Sequence, residues 1–280
     1  MKVIVAEKCG FCPGVKNAIS TAERILAQEK DVYCLGPIIH NRDVVERLAK
    51  AGLKTVSTVE EIQSGTVLIR SHGAAPKQIA KIEERGLKIV DATCVLVKRV
   101  QRIAKQLSEA GYRVVIIGDR NHPEIQAVVG CASSVSVVAD ESDLHKLPKN
   151  SKLGVVCQTT QSPEHFATML AAMAKQDFSE LRVINTLCKE AVKRQESAVG
   201  LCKRVDIMFV LGGLDSANTR KLAELCKKHN NRTFHLQNWN ELDKSILFGT
   251  NVAGVTAGAS TPEWVINEFV KNLAAFDNGG

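Results

Sequence analysis

The sequence predicts an α/β protein of three similar units with mainly parallel sheets, and two observations predict it. Short apolar runs alternate with amphipathic stretches almost from end to end, which is the strand-helix-strand rhythm of a parallel sheet. Within that rhythm three apolar strands each run into a cysteine: V-I-V-A-E-K-C-G-F-C-P-G-V-K to Cys12, I-V-D-A-T-C-V-L-V-K-R to Cys94, and V-I-N-T-L-C-K-E-A-V-K-R to Cys188. The recurrence divides the chain into α/β units at residues 1–95, 96–188 and 189–280.

Taken in order, strands are expected at residues 3–6, 32–35, 67–69, 87–90, 114–117, 153–156, 182–184, 207–211 and 252–256, each short and mostly apolar. Between them, apolar positions at helical spacing predict helices over 15–26, 44–51 and 79–85 and one running to about 110. Further helices are expected after Pro123, from Ser162, and near Glu190, Ala217 and Pro262. Two starts carry their own signal, Ser162-Pro163-Glu164 and Thr261-Pro262-Glu263, where a capping hydroxyl precedes a proline suited to the first helical position. No Gly/Ser-rich or Pro-rich linker separates the parts, so the units should abut.

With 280 residues, 45% apolar and 24% charged, the composition is that of a globular protein of two or three domains. The longest apolar runs fall far short of the ~20 residues that cross a bilayer, and in the opening M-K-V-I-V-A-E-K-C the apolar run, broken by Glu7, is too short for a signal-peptide h-region. A cytoplasmic protein with no membrane partner is expected. Basic residues outnumber acidic ones by 37 to 30, a net +7 that favours anionic ligands and acidic partners. Because Lys and Arg are scattered and only 4% of the chain is aromatic, nucleic acid is not expected as a partner.

Nine cysteines spread over the chain read, in a reducing compartment, as thiols, metal ligands or catalytic groups rather than a disulfide framework. Cys12, Cys94 and Cys188 each stand at a strand's carboxyl end where a helix begins, the edge at which open α/β sheets bind ligands. Three such thiols suit an iron-sulfur cluster with one iron left without a protein ligand. Taken singly, each is better explained as a small buried residue, the reading adopted for Cys34, Cys131, Cys157, Cys202 and Cys226. Cys9-Gly-Phe-Cys12 before a helix also allows a thioredoxin-like dithiol, which leaves Cys94 and Cys188 unexplained. Zinc is a further option, but widely separated single cysteines do not resemble the paired spacings of structural zinc sites.

A second echo lies between the cysteines. L-G-P-I-I-H ends at His40, I-R-S-H-G holds His72 and I-G-D-R-N-H-P-E holds His122, each after an apolar strand. Two late loops carry hydroxyls and an amide instead, Ser216 and Asn218 in L-G-G-L-D-S-A-N and Ser260 in V-T-A-G-A-S-T-P. This donor-rich, carboxylate-poor set suits a polyanion such as diphosphate, with helix N-termini adding oriented N–H groups. Glu124, two residues after His122, gives one loop both an imidazole and a carboxyl for proton delivery, or serves merely as a first-turn acid. Gln158, Thr159 and Thr160 offer an amide and hydroxyls able to orient a substrate hydroxyl or a water. His145, His165, His229 and His235 lack such loops.

Eight segments, in order along the chain, resemble the 4-hydroxy-3-methylbut-2-enyl diphosphate reductases, the IspH/LytB family at the end of the methylerythritol phosphate route to isoprenoids. They are G-F-C-P-G-V-K from Gly10, L-G-P-I-I-H-N from Leu35, R-S-H-G from Arg70, D-A-T-C from Asp91, H-P-E from His122, Q-T-T from Gln158, S-A-N from Ser216 and T-A-G-A-S-T-P-E-W from Thr256. The resemblance implies a trefoil of three α/β units around a central [4Fe-4S] cluster held by Cys12, Cys94 and Cys188, with one open iron for the substrate's allylic alcohol. It implies that His40, His72, Ser216, Asn218 and Ser260 grip the diphosphate, with His122 at the cavity wall, and that Ala217, Gln158 and Thr159 also touch the substrate. Glu124 and Thr159, with His122, would manage the proton in a two-electron reductive dehydroxylation. A ferredoxin or flavodoxin would supply the electrons.

Three positions depart from the family's pattern. Ala191 stands where a threonine is usual after the third cysteine, Ala217 replaces a common serine, and Val95 replaces a common proline. A diverged iron-sulfur paralogue that binds a diphosphate or senses redox state is therefore the alternative reading, followed by a C-x-x-C dithiol oxidoreductase.

Overall fold

The computed structural model describes residues 1–276. Among these, twelve strands form three four-stranded sheets, and every pairing is parallel. The first sheet comprises β2 (Val32–Leu35), β3 (Leu53–Val56), β4 (Thr66–Ile69) and β5 (Lys88–Asp91), in the order β3-β2-β4-β5. In the second, β6 (Arg113–Ile117), β7 (Val135–Val138), β8 (Ser151–Cys157) and β9 (Phe178–Val183) repeat that order as β7-β6-β8-β9. The third has β10 (Ile207–Leu211), β11 (Thr233–Leu236) and β12 (Val252–Ala257), with β1 (Lys2–Val5) as its fourth member, in the order β11-β10-β12-β1.

One plan therefore recurs three times, with each unit's second strand on the edge, then its first, third and fourth. In the last unit the fourth strand is supplied by the start of the chain, since β1 pairs β12 from Lys2↔Val252 to Val5↔Val255. The expected boundaries after residues 95 and 188 fall just past β5 and β9, the fourth strands of the first two sheets. The α/β class and the three similar units stand as expected. By compactness the described residues form two bodies. One gathers residues 1–16, 39–47 and 189 onward, including the whole third sheet; the other gathers 17–38 and 48–188, with the first two sheets.

Nine α-helices accompany the described strands: α1 (Pro13–Leu26), α2 (Arg42–Lys50), α3 (Pro76–Glu84), α4 (Val95–Glu109), α5 (Pro123–Val129), α6 (Pro163–Met173), α7 (Lys189–Cys202), α8 (Ala217–His229) and α9 (Glu263–Ala274). The Ser162 cap holds, its hydroxyl accepting from His165 N at 3.1 Å. At Thr261 the expected cap does not form. That hydroxyl donates to Leu211 O at 2.9 Å, and α9 starts only at Glu263, because a strand-end carbonyl of β10 lies within reach and takes the proton.

The helices that follow Cys94 and Cys188 each close a face of the next sheet. Val100, Ile103, Ala104 and Leu107 of α4 pack with Val114, Ile116 and Val156 of the second sheet. There Gly154 lets the helix approach, since a Cβ would lie 2.9 Å from Leu107 Cδ2. Ala198, Leu201 and Cys202 of α7 pack with Met208 and Val210 of the third sheet, and Gly254 stands at the matching place in β12, where a Cβ would lie 2.8 Å from Met208 Sδ. Central strands such as β4 and β10 are buried along their whole length, as both-face coverage requires.

Candidate active-site loops

The site residues singled out in the sequence lie just beyond the carboxyl ends of strands, on the loops or in the first turn of the helix that follows, as Glu124 does in α5 and Ala217 and Asn218 do in α8, and the threefold plan sorts them into classes. The loops after the first strands of the units carry His40, His122 with Glu124, and Ser216 to Asn218. Those after the third strands carry His72, Gln158 with Thr159, and Ser260. After the fourth strands come Cys94, Cys188 and, following β1, Cys12.

Within the body that holds the first two sheets, His72 and His122 meet edge to face, with ring centroids 5.5 Å apart and planes at 80°. His122 caps α5, its Nδ1 accepting from Glu124 N at 3.2 Å. An accepting Nδ1 assigns the proton of the neutral ring to Nε2, which leaves Nε2–H as the donor. Glu124 is only 2% exposed, and both its oxygens are clamped by Thr159: N to Oε1 at 2.7 Å and Oγ1 to Oε2 at 2.7 Å. Burial pushes the Glu124 carboxyl above the ordinary carboxylate range, against the two Thr159 hydrogen bonds, which pull it down. A carboxyl so held keeps its proton to higher pH than an exposed one, as a general acid needs.

The same body ties two of the cysteines to this group. Cys188 N donates to Thr159 O at 2.8 Å, and Cys94 N donates to Ser71 O at 3.0 Å, next to His72. Gln158 braces the loops, its Oε1 accepting from Asp119 N at 3.0 Å and its Nε2 donating to Thr160 Oγ1 at 3.3 Å.

Within the body that holds the third sheet, the loop bearing His40 packs against the two late loops. Ser260 Oγ donates to His40 O at 3.2 Å, and a Cβ on Gly213 would lie 2.9 Å from that carbonyl, so only glycine fits there. Ser216 caps α8, accepting from Thr219 N at 3.3 Å and from Thr219 Oγ1 at 3.0 Å. A hydroxyl that accepts twice has its own proton left to donate. Asn218 Nδ2 is buried with no hydrogen-bond partner, an arrangement that costs about 1–3 kcal/mol unless a ligand supplies the acceptor. Cys12 N donates to Ala259 O at 3.2 Å, beside Ser260.

Each of the three cysteines directly precedes a helix: Cys12 before α1, Cys94 before α4, Cys188 before α7. All three are partly exposed, as are Cys9 and Cys131, the latter expected from the sequence to be buried, whereas Cys34, Cys157, Cys202 and Cys226 are buried. Cys94 makes no capping bond through its sulfur, and Cys12 Sγ accepts from Val15 N at 3.4 Å. Three partly exposed cysteines, each directly before a helix, fit the donor chemistry of an iron-sulfur cluster. The two bodies hold Cys12 in one and Cys94 and Cys188 in the other. Among the described residues no group of three or more His, Cys, Asp and Glu side chains stands as a metal-holding set.

The departures fall at distinct places. Ala191 is buried in α7 and Val95, the first residue of α4, is 77% exposed. Sequence reasoning passed over Arg194, a buried arginine of α7 whose Nη2 donates to Gly10 O at 2.6 Å. Its position inside an ordinary charged helix, K-E-A-V-K-R-Q-E, gives no sign of burial.

Comparisons with known proteins point one way. Residues 3–274 match the family described as LytB protein. The 4-hydroxy-3-methylbut-2-enyl diphosphate reductase of Pelobacter propionicus is 45% identical over 274 residues, covering 98% of each chain. That of Geobacter sulfurreducens is 43% identical over 279 residues, covering 99% of each. Among solved structures, the E-1-hydroxy-2-methyl-but-2-enyl-4-diphosphate reductase of Plasmodium falciparum superposes with a TM-score of 0.94 at 28% identity, covering 99% of this chain and 89% of that one. A second, described as (E)-4-hydroxy-3-methyl-but-2-enyl diphosphate reductase, the terminal enzyme of the non-mevalonate pathway, gives 0.72 at 40% identity, covering 99% of this chain and all of that one.

Proposed function

This chain belongs to the LytB protein family, and from that premise we infer that it is a reductase of (E)-4-hydroxy-3-methylbut-2-enyl diphosphate. The reaction takes two electrons and two protons, removes the hydroxyl as water, and yields isopentenyl and dimethylallyl diphosphate. Cys12, Cys94 and Cys188 would hold a [4Fe-4S] cluster. When bound, that group supplies electrons and, at the iron without a thiol, a Lewis acid for the allylic hydroxyl.

The chain's own residues account for the remaining tasks. Ser216 O–H, Asn218 Nδ2 and the N-terminal N–H groups of α8 bind the diphosphate, with His40, His72, Ser260, the Ala217 N–H and Gln158 completing the substrate's surroundings. The anchored diphosphate fixes the position of the far hydroxyl, so the barrier is lowered by orientation. Glu124 carries the proton that turns departing hydroxide into water, held in place by Thr159, while His122 Nε2–H donates alongside. The observation that carries this reading is the buried, doubly clamped Glu124 with its raised carboxyl. An acidic ferredoxin or flavodoxin suits the electron-donating role against a chain of net charge +7. No described helix is long and apolar enough to cross a membrane.

The test is anaerobic turnover with a reduced donor. Protein purified without oxygen should contain about four iron atoms per chain and convert the hydroxylated diphosphate to the two isomeric products. A protein that holds iron and binds the diphosphate but never releases either product would instead be the diverged paralogue.

A further inference from the structure

The loop before Cys12 is held by its backbone at four points. Ala6 N donates to Val255 O at 2.8 Å and Cys12 N to Ala259 O at 3.2 Å, which fasten the two ends. Between them Lys8 N donates to Ser197 Oγ at 3.3 Å and Gly10 O accepts from Arg194 Nη2 at 2.6 Å, both partners lying on α7. Gly10 sits at φ +75°, a conformation that a side chain would strain, and a Cβ there would lie 3.0 Å from Ile266 Cδ1, so the turn that presents Cys12 is tight. Arg194 is only 6% exposed. Burying a guanidinium is costly unless it is hydrogen-bonded to something that needs it. Its charge is felt by this loop, because the nearby guanidinium opposes the burial that pushes the Cys9 thiol up.

Arg194 also stands in the helix that begins directly after Cys188. One buried side chain thus links the helix that starts at one proposed cluster ligand to the carbonyl two residues before another. We propose that Arg194 is a positioning residue for cluster binding, setting the direction of the Cys12 thiol and adding a fixed positive charge beside it. This rests on the reading of Cys12 as a cluster ligand. Groups that orient a metal's ligands cost about 10- to 100-fold in metal affinity when removed, and a nearby cation favours the more negative, reduced state of a bound cluster.

The test uses the full chain with Arg194→Gln and Arg194→Lys, plus Ser197→Ala as a variant that loosens the same loop without touching charge. Reconstituted anaerobically, Arg194→Gln should lose iron to a chelator about 10- to 100-fold faster than the parent protein. Its midpoint potential, followed by the reduced cluster's electron-spin signal, should move to a more negative value. Arg194→Lys should restore most of the potential and little of the retention, because lysine keeps the charge but not the guanidinium's reach and planarity. Ser197→Ala should weaken retention slightly with the potential unmoved.

A readout on the cluster-free chain separates this idea from the ligand assignment it rests on. In the apoprotein, alkylation of Cys12, located by peptide mass, should be faster in Arg194→Gln than in the parent, with far-ultraviolet circular dichroism unchanged. If the parent binds no iron yet Arg194→Gln still unleashes Cys12, the cluster reading fails and the positioning role stands. Iron loss, potential and alkylation all equal to the parent's would overturn the proposal.

Discussion

The second and third sheets are built to the same plan, yet the loops at their carboxyl ends carry different chemistry. After the first strand, the second sheet offers His122 and Glu124 where the third offers Ser216 and Asn218. After the third strand, it offers Gln158 and Thr159 where the third sheet offers Ser260. Only the loops after the fourth strands agree, with Cys188 in one and Cys12 in the other. A repeated fold thus supplies equivalent places, and the side chains there differ in kind: an imidazole and a carboxyl, which can titrate, in the second sheet, and neutral hydroxyls and an amide in the third. The shared cysteines mark the function that needs all the units, while the differing loops mark tasks that a threefold arrangement would otherwise duplicate.

The comparison breaks most completely at the shared position. Cys188→Ser or Cys12→Ser should each abolish iron retention and turnover together, because an alcohol is a poor iron ligand at neutral pH. Iron analysis and the anaerobic product assay read both. Either variant keeping a full iron complement would remove that cysteine from the ligand set.

Next in size is the proton-handling set. Glu124→Gln should cut kcat by about 10²- to 10⁴-fold, the range for losing a general acid, with KM for the diphosphate little changed. It also carries a sign that can be checked on the folded protein. Because burial raises the Glu124 carboxyl in the native state, the native state binds the proton more tightly than the unfolded one. Its stability is therefore favoured below the unfolded value, falls as pH rises from there through the raised native value, and stays at the lower level above it. Denaturant midpoints across that window should slope downward in the parent relative to Glu124→Gln. Parallel curves would mean that the carboxyl titrates normally.

The anion-holding set should behave oppositely. Asn218→Ala removes a buried donor that has no partner in the free protein, so the melting temperature should hold or rise. With substrate present, the lost hydrogen bond to phosphate should raise KM by about 10- to 100-fold at nearly constant kcat, the mark of binding energy spent equally in ground and transition states. A fall in kcat alone would move Asn218 to the reacting end.

Much of this division was legible in the sequence. Cys12 and Cys94 followed short, largely apolar runs, V-I-V and I-V-D, and the donor types clustered where strands stop, although the strand before Cys188, F-S-E-L-R-V, is largely exposed and mixed in character. What stayed hidden is equally systematic. β3, β7 and β11 were passed over, and they are the same strand in each unit, on the edge of its sheet. L-K-T-V and T-F-H-L mix polar with apolar residues and are at most partly buried apart from Leu53, so their composition hardly separates them from loop, whereas V-S-V-V is mostly valine with Val137 and Val138 buried and carried a strand signal that its shortness concealed. Pairing of β1 with β12 could not be read either, since strand partners far apart in the chain leave no local mark. Arg194 escaped for a related reason: whether an arginine on a helix is buried depends on what packs against it, and its four-residue neighbourhood looks solvated.

The smallest effect tests the dithiol alternative at Cys9. Cys9 lies among the apolar side chains on both faces of the third sheet, with Val255, Phe269 and Leu201 in those groups, and burial pushes its thiol up. Both facts oppose a reactive thiolate, which needs an exposed and electropositive setting. Cys9→Ser puts a hydroxyl where a sulfur packed against apolar groups, so a loss of about 1–2 kcal/mol in stability is expected. Iron content and turnover of the surviving folded protein should match the parent's. Under the dithiol reading the order reverses, with iron intact and activity gone, so a variant that keeps its cluster spectrum and loses all turnover would make the Cys9-Gly10-Phe11-Cys12 loop itself the reactive centre.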